Sequence, residues 1–134
     1  HLPRTHVWPE GHWDWPIHLP YKHGLKCGDM VFVGGQVAMD SKGNVQDKAD
    51  LIKQAHTAMQ NIAKVLAGFS LTLDDVVKNN AFYQGTAGPD TIVGNQRVRA
   101  SYFKEPGPAS TGVPLKFLAY EGMMTESEVI AMTR

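Results

Sequence analysis

The sequence predicts an α+β fold, and three observations carry that prediction. One run, DKADLIKQAHTAMQNIAKVLA at 47–67, sets Leu51, Ile52, Ala55, Met59, Ile62, Val65 and Leu66 at three- and four-residue steps, which lays an apolar stripe along a helix. Apolar runs of strand length flank it, at 29–39 and 76–84. A second helical stretch and two more strand-like runs follow. The order strands, helix, strand, helix, strands suits a mixed sheet with two helices on one face.

In chain order, residues 1–16 form an arm holding Trp8, Trp13 and Trp15 together with His1, His6 and His12. Pro3, Pro9 and Pro16 exclude a long helix there. Its indoles are expected to pin the arm onto the fold, or to wall a pocket. His6, His12 and His18 would be the ligands of any metal, but their spacing matches no tight zinc pattern and no metal is expected. The body of the protein is 17–134. Residues 17–22 read as a short strand and 24–28 as a turn. The run 29–39 reads as a buried strand in which Val31, Phe32 and Val33 fill both faces. Gly34 and Gly35 leave its backbone bare, which suits a bulge or the close approach of a ligand.

Residues 40–44, DSKGN, make a turn. In the long helix, Asp47 and Asp50 favour the positive end of the dipole, Gly68 suits a left-handed cap, and Lys48, Lys53, Gln60, Asn61 and Lys64 face water. Asp74 and Asp75 lead into the strand at 76–84, and 85–89 is a loop. Asp90 or Thr91 caps a second helix running to about Lys104, with Ile92, Val98, Tyr102 and Phe103 in the core. Two prolines and a glycine break the pattern at 105–109. Strands at 111–120 and 125–133 end the chain.

Composition bounds the function. The 134 residues fit one domain, and 43% hydrophobic with 19% charged residues describes a globular chain. No apolar run approaches the ~20 residues that span a bilayer, and the first residues lack the apolar stretch of a secretory signal, so no membrane role is expected. The lone Cys27 has no internal partner, which points to a reducing, cytoplasmic setting. Thirteen basic and thirteen acidic side chains cancel, which argues against nucleic acid as the partner.

Five segments in order carry a resemblance: GDMVFVGGQV at 28–37, SLTLDDVVK at 70–78, the helix from Asn95 to Phe103, PAST at 108–111 and ESEVIAM at 126–132. Together they are similar to the Rid family, the reactive intermediate deaminases formerly called YjgF, over about residues 16–133. The resemblance implies a chorismate-mutase-like fold, assembly as a homotrimer with clefts between subunits, and hydrolysis of imines or enamines to ammonia and a carbonyl compound without a cofactor. In the family's P-A-R-[ST] motif an arginine clamps the substrate carboxylate; here Ser110 stands in its place. Serine offers a neutral hydroxyl where arginine offers a charged fork. The loss is expected to weaken carboxylate binding by roughly 2–5 kcal/mol, which puts the usual 2-imino acids in doubt.

The remaining site residues carry over one at a time. Glu126 matches the water-handling glutamate, and Glu128, two residues on, shares its sheet face, so the pair is expected to raise one pKa. Tyr21, Gly34, Gly35, Asn95, Thr111 and Gly112 match positions around the family's pocket, with Gly34 replacing a common serine and Gly112 a common cysteine. His18 and His23 flank Tyr21 and read first as structural. A small-molecule hydrolase of imines, enamines or a related polar bond is therefore the leading function. The alternative is a trimeric small-molecule binder or regulatory protein without chemistry; a ribonuclease activity finds no support in the balanced charge.

Overall fold

The computed structural model describes residues 2–134; His1 of the arm lies outside them. Its strands are β1 (Arg4–Val7), β2 (Gly24–Cys27), β3 (Met30–Gln36), β4 (Val76–Gln84), β5 (Ala109–Leu115) and β6 (Thr125–Met132), and its helices α1 (Leu51–Ala67) and α2 (Pro89–Ala100). The strands form one mixed sheet in the order β1-β2-β3-β6-β4-β5, with β4 and β5 parallel and the other pairs antiparallel.

The helix α1 buries the expected stripe. Met59, Ile62, Val65 and Leu66 meet Val31 and Val33 of β3, Val76 of β4, and Val129 and Ala131 of β6 in one core. Strand alternation decides which side chains reach it. In β6, Thr125, Ser127, Val129 and Ala131 are buried toward α1, while Glu126, Glu128, Ile130 and Met132 turn to the other face. Asp50 caps α1 by accepting from the Lys53 N–H at 3.0 Å.

Several local expectations are corrected. The left-handed residue that ends α1 is Ser70 (φ 59°), not Gly68 (φ −62°); Leu71 N–H returns to Leu66 O, closing the cap two residues later. Gly68 is small for another reason, since a Cβ there would lie 2.8 Å from Val7 of β1. Residues 17–22 are not a strand; 24–27, read as a turn, form β2. There Gly24 lets the strand press against α1, where a Cβ would meet Val65 at 2.4 Å. Asn61 is buried and donates to Val37 O at 2.9 Å instead of facing water. Phe32 stands on the uncovered face of the sheet, so β3 is half-buried. Helix α2 stops at Ala100, and β5 runs from Ala109 to Leu115 rather than from 111 to 120.

Within the arm, β1 adds an edge strand beside β2, and Trp13 is buried against Val37, Met39 and Met123. No helix among the described residues is long and apolar enough to cross a membrane.

Candidate functional site

The site residues expected from the sequence fall into two groups on opposite faces of the sheet. The first gathers at a bulge. Between Val33, opposite Val129, and Gln36, opposite Ser127, β3 carries one residue more than β6, and Gly34 and Gly35 occupy the excess. Gly35 is bare because Glu126 comes to it: a Cβ there would lie 2.6 Å from the Glu126 carboxyl carbon. Gly34 N–H donates to His23 O at 2.9 Å. Burial first, and the neighbouring Glu128 second, push the Glu126 pKa up. A carboxylate so placed holds its proton more readily than one in water, which suits a group that takes and returns a proton.

A buried network fixes this bulge from below. The Gln36 Nε2 amide donates to Gly34 O (3.1 Å), Gly35 O (3.3 Å) and His23 Nδ1 (3.2 Å), and its Oε1 accepts from His12 Nε2 at 2.8 Å. His23 Nε2 in turn donates to Trp13 O at 2.9 Å. These bonds place a proton on Nε2 of both histidines, and the Gln36 amide donating to Nδ1 makes His23 the neutral Nε2–H tautomer. Trp13 stacks on His12 and Trp15 on His23. Burial lowers both histidine pKa values. His12 and His23 are thus structural, and no cluster of three metal-ligating side chains occurs among the described residues.

The second group lies on the helix side. Ser110 and Gly112 of β5 pair with Asn79 and Ala81 of β4 and share their face, while Thr111 turns to the other face and accepts from Lys78 Nζ at 2.7 Å. Asn79 Nδ2 donates to Ser110 Oγ at 3.3 Å. Asn79, Gln96, Arg99, Phe103, Ser110 and Gly112 line an open cavity of about 440 Å³ between α2 and β5. The cavity is not neutral, because Arg99 of α2 lines it together with Ser110.

Arg99 is only 6% exposed, yet its Nε has no hydrogen-bond partner, and the ion pairs of the described residues, Lys104–Asp74 and Arg134–Asp75, leave it out. Asn95, one turn earlier on the same helix face, is fully buried with both amide atoms unpartnered, and Asn79 Oδ1 is unpartnered too. Tyr21 is 63% exposed in the loop before β2, its ring edge on Trp15. Sequence reasoning missed Arg99, Asn79 and Gln36. The available signal was in α2, whose buried positions are Asn95 and Arg99, four residues apart, where a core helix would present apolar side chains.

Comparison with known proteins agrees with this fold. The family model described as endoribonuclease L-PSP matches residues 16–133. The RutC family protein YjgH of Escherichia coli is 30% identical over 129 residues, covering 96% of this chain and 94% of that protein. The solved structure of protein YJGH superposes with a TM-score of 0.81 at 28% identity, covering 97% of this chain and 96% of the other. The 3-aminoacrylate deaminase RutC of Acinetobacter baylyi is 29% identical over 108 residues, 81% of this chain and 82% of its own.

Proposed function

The chain belongs to the endoribonuclease L-PSP family, the Rid or YjgF family, and from that premise we propose that it is a small-molecule hydrolase that deaminates an imine or enamine. The observation that carries this reading is the half-buried Glu126 carboxylate, held against the bare Gly35 backbone with its pKa raised. A protonated imine carbon is electrophilic without a cofactor. Glu126 takes a proton as the oxygen of water bonds to that carbon, and the proton passes to the nitrogen. Glu126 then takes the proton of the new hydroxyl as the C–N bond breaks, ammonia leaves, and a carbonyl group remains. A relative named 3-aminoacrylate deaminase supports this reaction class.

Ser110 and Glu126 cannot meet within one chain, because they stand on opposite faces of the sheet. Assembly as a homotrimer would join the β5 edge of one copy to the Glu126 face of the next. Two features favour it: β5 is exposed along nearly its whole length, and Met30, Phe32, Val77 and Met132 leave apolar surface on the uncovered face. The family description names a ribonuclease, but a formal net charge of zero supplies no broad basic surface for phosphates.

Ammonia release from a panel of amine- and amino-acid-derived imines tests the reading. Glu126→Gln should lower turnover by about 100-fold or more. Equal turnover by both proteins would remove Glu126 from the reaction, and release by neither would leave a binder without chemistry.

A further inference from the structure

We infer that Arg99 anchors the carboxylate of a small molecule in the cavity between α2 and β5, taking over from a helix the task that the P-A-S-T segment of β5 cannot perform. The inference names the substrate class of the proposed hydrolase and rests on that reading for the chemistry, though not for the binding. Arg99 is 6% exposed as a residue and its Nε is out of water without a hydrogen-bond partner, which is costly because burial removes water from that donor and nothing in the chain replaces it. Such a group persists where an anion from outside completes it. The lining around it is built to match: Ser110 offers a hydroxyl, Gln96 an amide, and Asn79 an amide already turned to Ser110.

The charge around the cavity selects a carboxylate over a phosphate. Lys104, also on the lining, is engaged with Asp74 at 3.3 Å, and Glu105 adds negative charge at the rim. One free fork facing an acidic rim matches a planar monoanion, whereas a phosphate dianion would need a second cation. Gly112 keeps the floor open; a Cβ there would lie 3.4 Å from the Tyr83 ring.

Calorimetric titration of the full chain with pyruvate, methyl pyruvate and inorganic phosphate tests the inference. The acid should bind about 30-fold or more tightly than its uncharged ester. Arg99→Met should erase that preference, and Ser110→Arg in the Arg99→Met background should restore most of it by returning a cation to the same cavity. Equal affinity for acid and ester in the unmodified protein, no measurable pyruvate binding, or tighter binding of phosphate than of pyruvate would overturn the inference, and none of these depends on a variant folding. A preference for the acid without ammonia release from any imine keeps the anchor and removes the hydrolase. Ammonia release without that preference does the reverse.

Discussion

The two polar clusters of this protein, one beneath the Gly34–Gly35 bulge and one beneath the α2–β5 cavity, are built on opposite terms. Around Gln36 every buried donor and acceptor of the described network has a partner, and two indoles stack on its histidines. Around Arg99 the reverse holds: Asn79, Asn95 and Arg99 all keep unpartnered atoms out of water. A satisfied buried network stabilises a shape, and an unsatisfied one stores a demand that a ligand or a second chain can meet. The first therefore acts as a rigid support for the bulge, and the second is where the proposed ligand would find partners.

Substitutions in the two clusters should move stability in opposite directions. The largest effect belongs to Gln36→Leu, which leaves His12 Nε2 and His23 Nδ1 without partners and frees the bulge. Thermal or urea unfolding should show a loss of about 3 kcal/mol. A loss below about 1 kcal/mol would mean that the network is incidental. Gly35→Ala comes next, because the new methyl occupies the position of the Glu126 carboxyl group. Overpacking should cost about 2 kcal/mol, with a fall in turnover as Glu126 is displaced. Arg99→Met should instead raise the stability of the ligand-free protein by about 1 kcal/mol, since it removes a buried charge without a partner. If Arg99→Met destabilises as Gln36→Leu does, the contrast between the clusters collapses.

The pH dependence sharpens the same contrast. Burial lowers the His12 pKa, aided by His23 and Lys64 and opposed by the Gln36 bond; it also lowers that of His23, opposed by the Trp13 bond and Asp14. Both groups bind protons less readily folded than unfolded. Their contribution to stability is complete above the unfolded histidine value of about 6.5 and is lost as pH falls below it. A melting temperature that drops between pH 7.5 and pH 5, with a smaller drop in a His12→Gln variant, is the expected result. The smallest effect is that of Gly112→Ala, whose methyl meets Tyr83 at an ordinary contact distance and should change stability by less than about 0.5 kcal/mol.

Much of the fold was legible because hydrophobic period maps onto burial. The stripe from Leu51 to Leu66 and the alternation of β6 follow their predicted faces. Glycines misled where they serve space instead of conformation. Gly24 and Gly68 read as turn and cap, yet both are small so that β2 and β1 can press against α1. The Glu126–Gly35 contact was approached from the sequence, as a bare backbone awaiting a ligand, but its occupant is the protein's own carboxylate. Arg99 could not be found from the strand motif, because no local pattern reports that a helix on the neighbouring layer projects into the same space.

The extra residue in β3 also sets parity. Before it, odd positions, Val31 and Val33, point toward α1; after it an even position, Gln36, does so. That switch is what brings an amide, rather than a glycine, beneath the loop that carries His23. Paired without the bulge, the same residues would turn Gly35 inward and send Gln36 and everything after it on that strand to the opposite face. The Glu126 carboxylate is thus held by a counting rule in the backbone as much as by any side chain.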